Sequence, residues 1–86
     1  MKLDFQPTLV ASGEDGEGQL VYRGDYLIAV LVRLSDVQEG LAGRWFLEKG
    51  FGPLDTPGSP VFVDLAEAEA WIAARLADNF GARYWP

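Results

Sequence analysis

The sequence predicts an α+β fold, an antiparallel β-meander of three to four strands with one C-terminal helix packed on one face. Three observations lead to this prediction. The middle of the chain is rich in β-branched and aromatic residues, which favour a pleated sheet. Glycines and prolines interrupt this region and mark its turns and loops. Near the C-terminus, a helix-capping signal precedes apolar residues at helical spacing.

We expect one domain over residues 1–86, because 86 residues suffice for a single small domain. Residues 1–18 form an N-terminal arm and an acidic, glycine-rich loop. Residues 19–63 form the sheet, residues 64–80 the helix and residues 81–86 a tail. Phe5, Leu9 and Val10 in the arm fit either a short edge strand or a segment packed on the sheet.

The sheet opens with two apolar segments, residues 20–23 and residues 26–34. Gly24-Asp25 between them fits a hairpin turn or a bulge in one long strand, and the shortness of the first segment favours the bulge. Residues 35–43 form a connection and residues 44–49 the next strand. The stretch 50–60 contains three glycines and three prolines and is therefore irregular. Residues 61–63 form a short last strand.

The helix has the clearest signature in the chain. Asp64 occupies the N-cap and Glu67 follows three residues later, which is an aspartate version of the capping box. Gly81 is a natural C-terminal stop. One apolar stripe recurs at helical spacing: Leu65, Ala68, Ile72, Leu76 and Phe80.

Three segments between residues 20 and 78 contain turn, strand and cap signals in succession. They are Tyr22-Arg23-Gly24-x-Tyr26-x-Ile28, Gly43-Arg44-Trp45 and Phe62-x-Asp64-x-x-Glu67-Ala68. In this order the chain resembles small, functionally uncharacterised bacterial proteins with a β-β-β-α layout. The resemblance implies the same succession of elements and assigns no functional residue.

The absence of two residue types excludes many kinds of enzyme. The chain contains no His and no Cys, which excludes a Ser-His-Asp triad, a thiolate nucleophile and the usual zinc sites. The acids at positions 14, 15 and 17 lack the spacing of a calcium loop. Glu67 and Glu69 point about 200° apart on the helix, so they do not share a pocket. We therefore predict no enzymatic activity and no catalytic, cofactor-binding or metal-ligating residue.

The charge distribution restricts the partners. The chain has 13 acidic and 7 basic residues, a net charge of −6, which disfavours nucleic acid and anionic lipid. The N-terminus lacks the apolar core of a signal peptide, and the longest apolar run is far short of the ~20 residues of a membrane helix. We therefore expect a cytoplasmic protein with no membrane partner.

The strand over residues 26–34 is apolar on both faces, although one helix covers only one of them. Strict alternation places Ile28, Val30, Val32, Trp45 and Leu47 towards the helix. The outer face then holds Leu27, Ala29, Leu31 and Phe46, with Arg33, Arg44 and Glu48 at its rim. Such a patch is typical of an interface, and a homodimer uses one patch twice. The alternative is that the arm or the tail residues Tyr84 and Trp85 cover this face.

Trp71 lies off the apolar stripe, next to Arg75. It is either a partner-binding anchor or a side chain packed on the sheet edge or under the tail, with Arg75 stacked on it.

The predicted function is a non-enzymatic protein-interaction module that homodimerises through the outer sheet face. The alternative is a nucleic-acid-binding module in which Phe46 stacks on a base and Arg23, Arg33 and Arg44 lie near phosphates. The predicted partner-binding residues are Leu27, Leu31, Arg33, Arg44, Phe46 and Trp71.

Overall fold

The structure is a computed structural model, and it describes residues 3–11, 16–34, 43–58 and 60–78. In these residues one antiparallel sheet contains five strands in sequential order, so the chain forms a meander. The strands are β1 (Asp4–Leu9), β2 (Glu17–Arg23), β3 (Tyr26–Arg33), β4 (Trp45–Gly50) and β5 (Val61–Phe62). The predicted fold class is confirmed. The described sheet exceeds the predicted three to four strands because the N-terminal arm contributes β1.

The connection between β2 and β3 is a hairpin, so the preference for a bulge at Gly24-Asp25 was wrong. Arg23 pairs with Tyr26 across the turn. Gly24 has a φ of +61°, whereas Asp25 does not have a positive φ, the pattern of a type II′ turn with glycine first. The physical reason is length: β2 begins at Glu17 and is long enough to pair as a strand of its own.

Two bulges lie elsewhere in the sheet. Between β2 and β3, Val21 pairs with Ala29 and Tyr22 pairs with Leu27, which leaves Ile28 as an extra residue on β3. Between β3 and β4, Val30 pairs with Lys49 and Leu31 with Leu47, which leaves Glu48 as an extra residue on β4. Each bulge shifts by one residue the alternation of side chains between the two faces.

Helix α1 (Leu65–Asp78) begins with the predicted capping box. The Glu67 backbone N–H donates to Asp64 Oδ1 at 2.9 Å, and the Val63 backbone N–H donates to Glu67 Oε1 at 2.6 Å. Ala68, Ile72 and Leu76 of the predicted stripe are buried, whereas Phe80 and Gly81 lie outside the described residues. The described part of the chain has no helix long and apolar enough to cross a bilayer.

The capping box gives a first testable prediction. We expect Asp64→Ala to lower the free energy of unfolding by about 1 kcal/mol, because the Glu67 N–H loses its side-chain acceptor. Urea unfolding followed by circular dichroism measures this change. Glu69→Ala, at an exposed position of the same helix, is the control and stays within about 0.5 kcal/mol of wild type. Equal losses in both variants would show that the cap contributes nothing.

The hydrophobic core lies between α1 and one face of the sheet. A short 3₁₀ turn, Gly52–Leu54, closes one end of it and buries Leu54 completely. Phe5, Leu65 and Trp71 pack against the core from its margins. The core consists of Leu3, Val21, Ile28, Ala29, Leu31, Trp45, Leu47, Leu54, Phe62, Ala68, Ile72 and Leu76.

Candidate functional site

The outer face is the face of the sheet opposite α1. Its residues differ from the predicted ones. Leu31 and Ala29 are fully buried on the helix side, and Leu31 pairs with the core residue Leu47. Directly paired residues point to the same face, so the assignment of Leu31 and Ala29 to the outer face was wrong, as was that of Val30 and Val32 to the helix side. The bulge at Ile28 is the reason, because it places Ile28 and Ala29 together on the helix side and reverses the alternation after them.

The register places the side chains of the outer face in rows across the strands. One row runs from Asp4 through Tyr22 to Leu27. The next row consists of Gln6, Leu20, Val30 and Lys49. A third row consists of Thr8, Gly18, Val32, Phe46 and Val61. The centre of this face is therefore apolar on β2, β3 and β4.

Burial on the outer face is incomplete, in contrast to the helix side. Leu20, Leu27, Val30 and Phe46 are each partly exposed, and only Val32 among these central residues is buried. Val32 is not part of the core cluster under α1. The helix and the 3₁₀ turn both bury their apolar side chains against the opposite face. The apolar centre of the outer face therefore keeps solvent-accessible area that a partner would bury.

The N-terminal arm covers this face at one corner only. A Cβ atom at Gly18 would lie 2.8 Å from Val10 Cγ2, so the Val10 side chain occupies the space beside Val32. Phe5 packs against the core on the helix side, and Leu9 is 82% exposed. The idea that Phe5 and Leu9 cover the outer face was therefore wrong. The predicted cover by Tyr84 and Trp85 falls outside the described residues.

The predicted rim arginines separate onto different faces. Arg33 pairs with the core residue Trp45 and lies on the helix side, where its Nη1 is 3.1 Å from Glu17 Oε1. Placing Arg33 at the rim of the outer face was therefore wrong. Both partners are about half exposed, so this ion pair contributes little to stability. The Leu34 backbone N–H donates to the Arg44 carbonyl oxygen at 2.8 Å. Arg44 precedes Phe46 by two residues, so it shares the face of Phe46, as predicted.

Lys49 and Phe51 also belong to the outer face, which strict alternation does not predict. Lys49 pairs with Val30, and its Nζ lies 5.4 Å from the centre of the Phe51 ring. Phe51 is 39% exposed. The sequence contained no signal for this placement, because strict alternation from Phe46 puts Lys49 on the helix side. The bulge at Glu48 reverses it.

Trp71 packs on the edge of the sheet. Its ring centre is 5.5 Å from that of Phe62 on the edge strand β5, and the guanidinium of Arg75 lies 5.0 Å from the indole centre. Arg75 Nε also donates to the Pro53 carbonyl oxygen at 3.2 Å, which ties α1 to the 3₁₀ turn. The stacking of Arg75 on Trp71 is confirmed. The role of Trp71 as a partner-binding anchor stays a prediction.

A small open pocket of about 190 Å³ lies between the end of β4 and the segment after the 3₁₀ turn. Glu48, Lys49, Asp55 and Thr56 line it together with two glycines and two leucines. Its volume is below the ~300 Å³ at which small-molecule pockets usually begin. Among the described residues, no three acidic side chains converge as potential metal ligands, and the acids at positions 14 and 15 lie outside them.

No protein-family model matches this chain, and no curated protein or solved structure matches it significantly. The resemblance to small bacterial β-β-β-α proteins therefore stays a prediction. The outer face, with its apolar centre and flanking polar residues, is the surface of the described residues that best fits a functional site.

Proposed function

We propose that this protein is a cytoplasmic, non-enzymatic interaction module that forms a homodimer through its outer sheet face. The observation that carries the proposal is the apolar centre of that face: Leu20, Leu27, Val30, Val32 and Phe46 lie opposite the helix, and four of the five keep partial exposure. An apolar patch flanked by polar residues is typical of an interface.

A second copy of the chain is the simplest partner, because two-fold pairing buries the same patch on both subunits. Strands about 4.8 Å apart and residues about 3.3 Å apart along β3 give a face of roughly 19 Å by 26 Å, or about 500 Å² in projection. A standard stable interface buries about 800 Å² of accessible surface on each partner, and the accessible area of a face with this projection is at most about that size. We therefore expect a dimer that dissociates at low protein concentration.

Sedimentation velocity over a wide range of concentrations tests the proposal. We expect the wild-type mass to rise from monomer to dimer and Val30→Asp to remain a monomer, because a charge in the centre of the interface is desolvated on association. Val30 is partly exposed in the single chain, so the variant retains the far-UV circular dichroism of wild type. Leu9→Asp, at a position 82% exposed and outside this face, is the matched control and dimerises normally. A wild-type monomer at millimolar concentration would disprove the proposal.

The same face supports a second candidate function, binding of single-stranded nucleic acid. Three aromatic residues, Tyr22, Phe46 and Phe51, lie on it together with Arg44 and Lys49, and bases stack on aromatic side chains. The net charge of −6 and the position of Arg33 on the other face weigh against it. Fluorescence anisotropy with labelled oligonucleotides distinguishes the two functions, and salt-sensitive binding lost in Phe46→Ala would favour this one.

A further inference from the structure

The polar residues that flank the outer face carry opposite charges on opposite sides. On β1 the flanking residues are Asp4, Gln6 and Thr8, and Asp4 is exposed. On β4 the flanking bases are Lys49 and Arg44. Asp4 makes no ion pair with any described residue, and Lys49 contacts the Phe51 ring. The β1 margin therefore carries one negative charge, whereas the β4 margin carries the two positive charges of Lys49 and Arg44 and the negative charge of the exposed Glu48 in the bulge beside Lys49.

Two arrangements are possible for a symmetric face-to-face pair of sheets. A two-fold axis between the sheets and perpendicular to the strands places β4 of one subunit over β4 of its partner, so bases face bases. An axis parallel to the strands that runs between β2 and β3 exchanges the two margins and places β4 of one subunit over β1 of its partner. Lys49 then faces the margin that carries Asp4, twice in each dimer. Like charges in close apposition oppose association, whereas opposite charges favour it.

We infer that the occupant of the outer face is a second copy of this chain, related by a two-fold axis parallel to β3, with Lys49 of each subunit directed at Asp4 of the other. This inference rests on the proposed homodimer and specifies its geometry. The apolar residues of β2 and β3 lie near the axis and pack on each other. The two sheets lie about 10 Å apart, with their strands close to aligned.

The positions of Lys49 and Asp4 along the strand direction are compatible with an ion pair between the two subunits. An axis parallel to the strands keeps each residue at its own level, so Lys49 lies over Gln6 of the partner subunit and one row from Asp4. One row is two residues, or about 6.8 Å. The Lys49 ammonium already points along the strand over Phe51, which follows at the next position of the same face. That direction leads towards the row of Asp4, because Gly50 pairs with Ala29 beyond Val30.

Cross-linking distinguishes the two arrangements directly. The chain contains no cysteine, so single introduced thiols react without background. We expect a mixture of the Gln6→Cys and Lys49→Cys variants to give a covalent dimer with a short bis-maleimide reagent. Lys49→Cys alone gives no covalent dimer, because the two copies of position 49 lie on opposite margins. Efficient cross-linking of Lys49→Cys to itself would overturn the inference.

Charge reversal provides a second readout. We expect Asp4→Lys and Lys49→Asp each to raise the dimer dissociation constant by about threefold or more, as exposed ion pairs used twice would do. The double variant regains the wild-type dissociation constant. Glu69→Lys, an equal charge change on the exposed surface of α1, leaves it unchanged. A double variant whose loss of dimer affinity equals the combined losses of the two single variants would contradict the pairing.

These experiments separate the inference from the proposed function. A wild-type chain that stays monomeric in sedimentation overturns both of them. A wild-type dimer that Val30→Asp disrupts, but that cross-links at Lys49→Cys alone, retains the proposed function and overturns the geometry inferred here.

Discussion

We expect the Leu31→Asp variant to be unfolded at 25 °C. Leu31 has no solvent exposure and packs in the core with Leu47 and the residues of α1. Removing a buried leucine costs about 2–5 kcal/mol, and an unpaired carboxylate in the same place costs several more. A domain of 86 residues has a total stability of about 4–13 kcal/mol, from ~0.05–0.15 kcal/mol per residue. The substitution therefore removes most or all of the stability.

Val30→Asp is the matched control, because it makes a similar apolar-to-acid change one residue earlier in β3. Val30 lies on the outer face and is partly exposed, so its carboxylate reaches water in the monomer. We expect this variant to keep the far-UV spectrum and the cooperative urea transition of wild type. Near-UV circular dichroism and one-dimensional NMR distinguish the two outcomes. A folded Leu31→Asp together with an unfolded Val30→Asp would reverse the assignment of the two faces.

We expect Gly50→Ala to lower the free energy of unfolding by about 3 kcal/mol. A Cβ atom at Gly50 would overlap the Leu54 carbonyl group and lie 2.6 Å from its carbon atom. The 3₁₀ turn would have to move away from the sheet, which takes the fully buried Leu54 out of the core. It would also stretch the hydrogen bond from Arg75 to Pro53. Overpacking and partial loss of a leucine each cost about 1–3 kcal/mol.

The melting temperature in differential scanning calorimetry measures this change, and we expect a decrease of more than about 10 °C for a domain of this size. Gly58→Ala is the control for backbone conformation without a steric clash. Gly58 has a φ of +77°, and a Cβ atom there meets no atom within 4 Å. Its expected cost is about 1 kcal/mol, from the strain of a positive φ alone. Equal effects of the two substitutions would show that the turn tolerates displacement.

The helix was predicted in detail because its signals are local. Asp64 and Glu67 form the capping box through hydrogen bonds that span three and four residues of sequence. The stripe Leu65, Ala68, Ile72 and Leu76 depends only on helical periodicity, and it faces the core, with Leu65 partly exposed at the margin. The alternation of residues in β4 also predicted its buried face, and Trp45 and Leu47 are buried as predicted.

The strands were harder to predict because their faces depend on pairing. β3 is apolar at every position from Leu27 to Val32, so its sequence has no alternation that identifies the buried face. The bulges at Ile28 and Glu48 set that face, and each depends on the register with a neighbouring strand. For this reason Leu31 and Arg33 were assigned to the wrong side, whereas Leu27 and Phe46 were assigned to the correct one.

The sequence by itself determined the fold class, the helix and its cap, and the absence of His and Cys. These features depend on composition or on interactions between residues close in the chain. Only the tertiary structure decided which residues form the outer face. A shift of one residue in register moves every following side chain to the opposite face, and register arises from contacts between strands rather than within them. The candidate interaction surface is therefore a product of two bulges, which place Val30 and Lys49 beside Phe46.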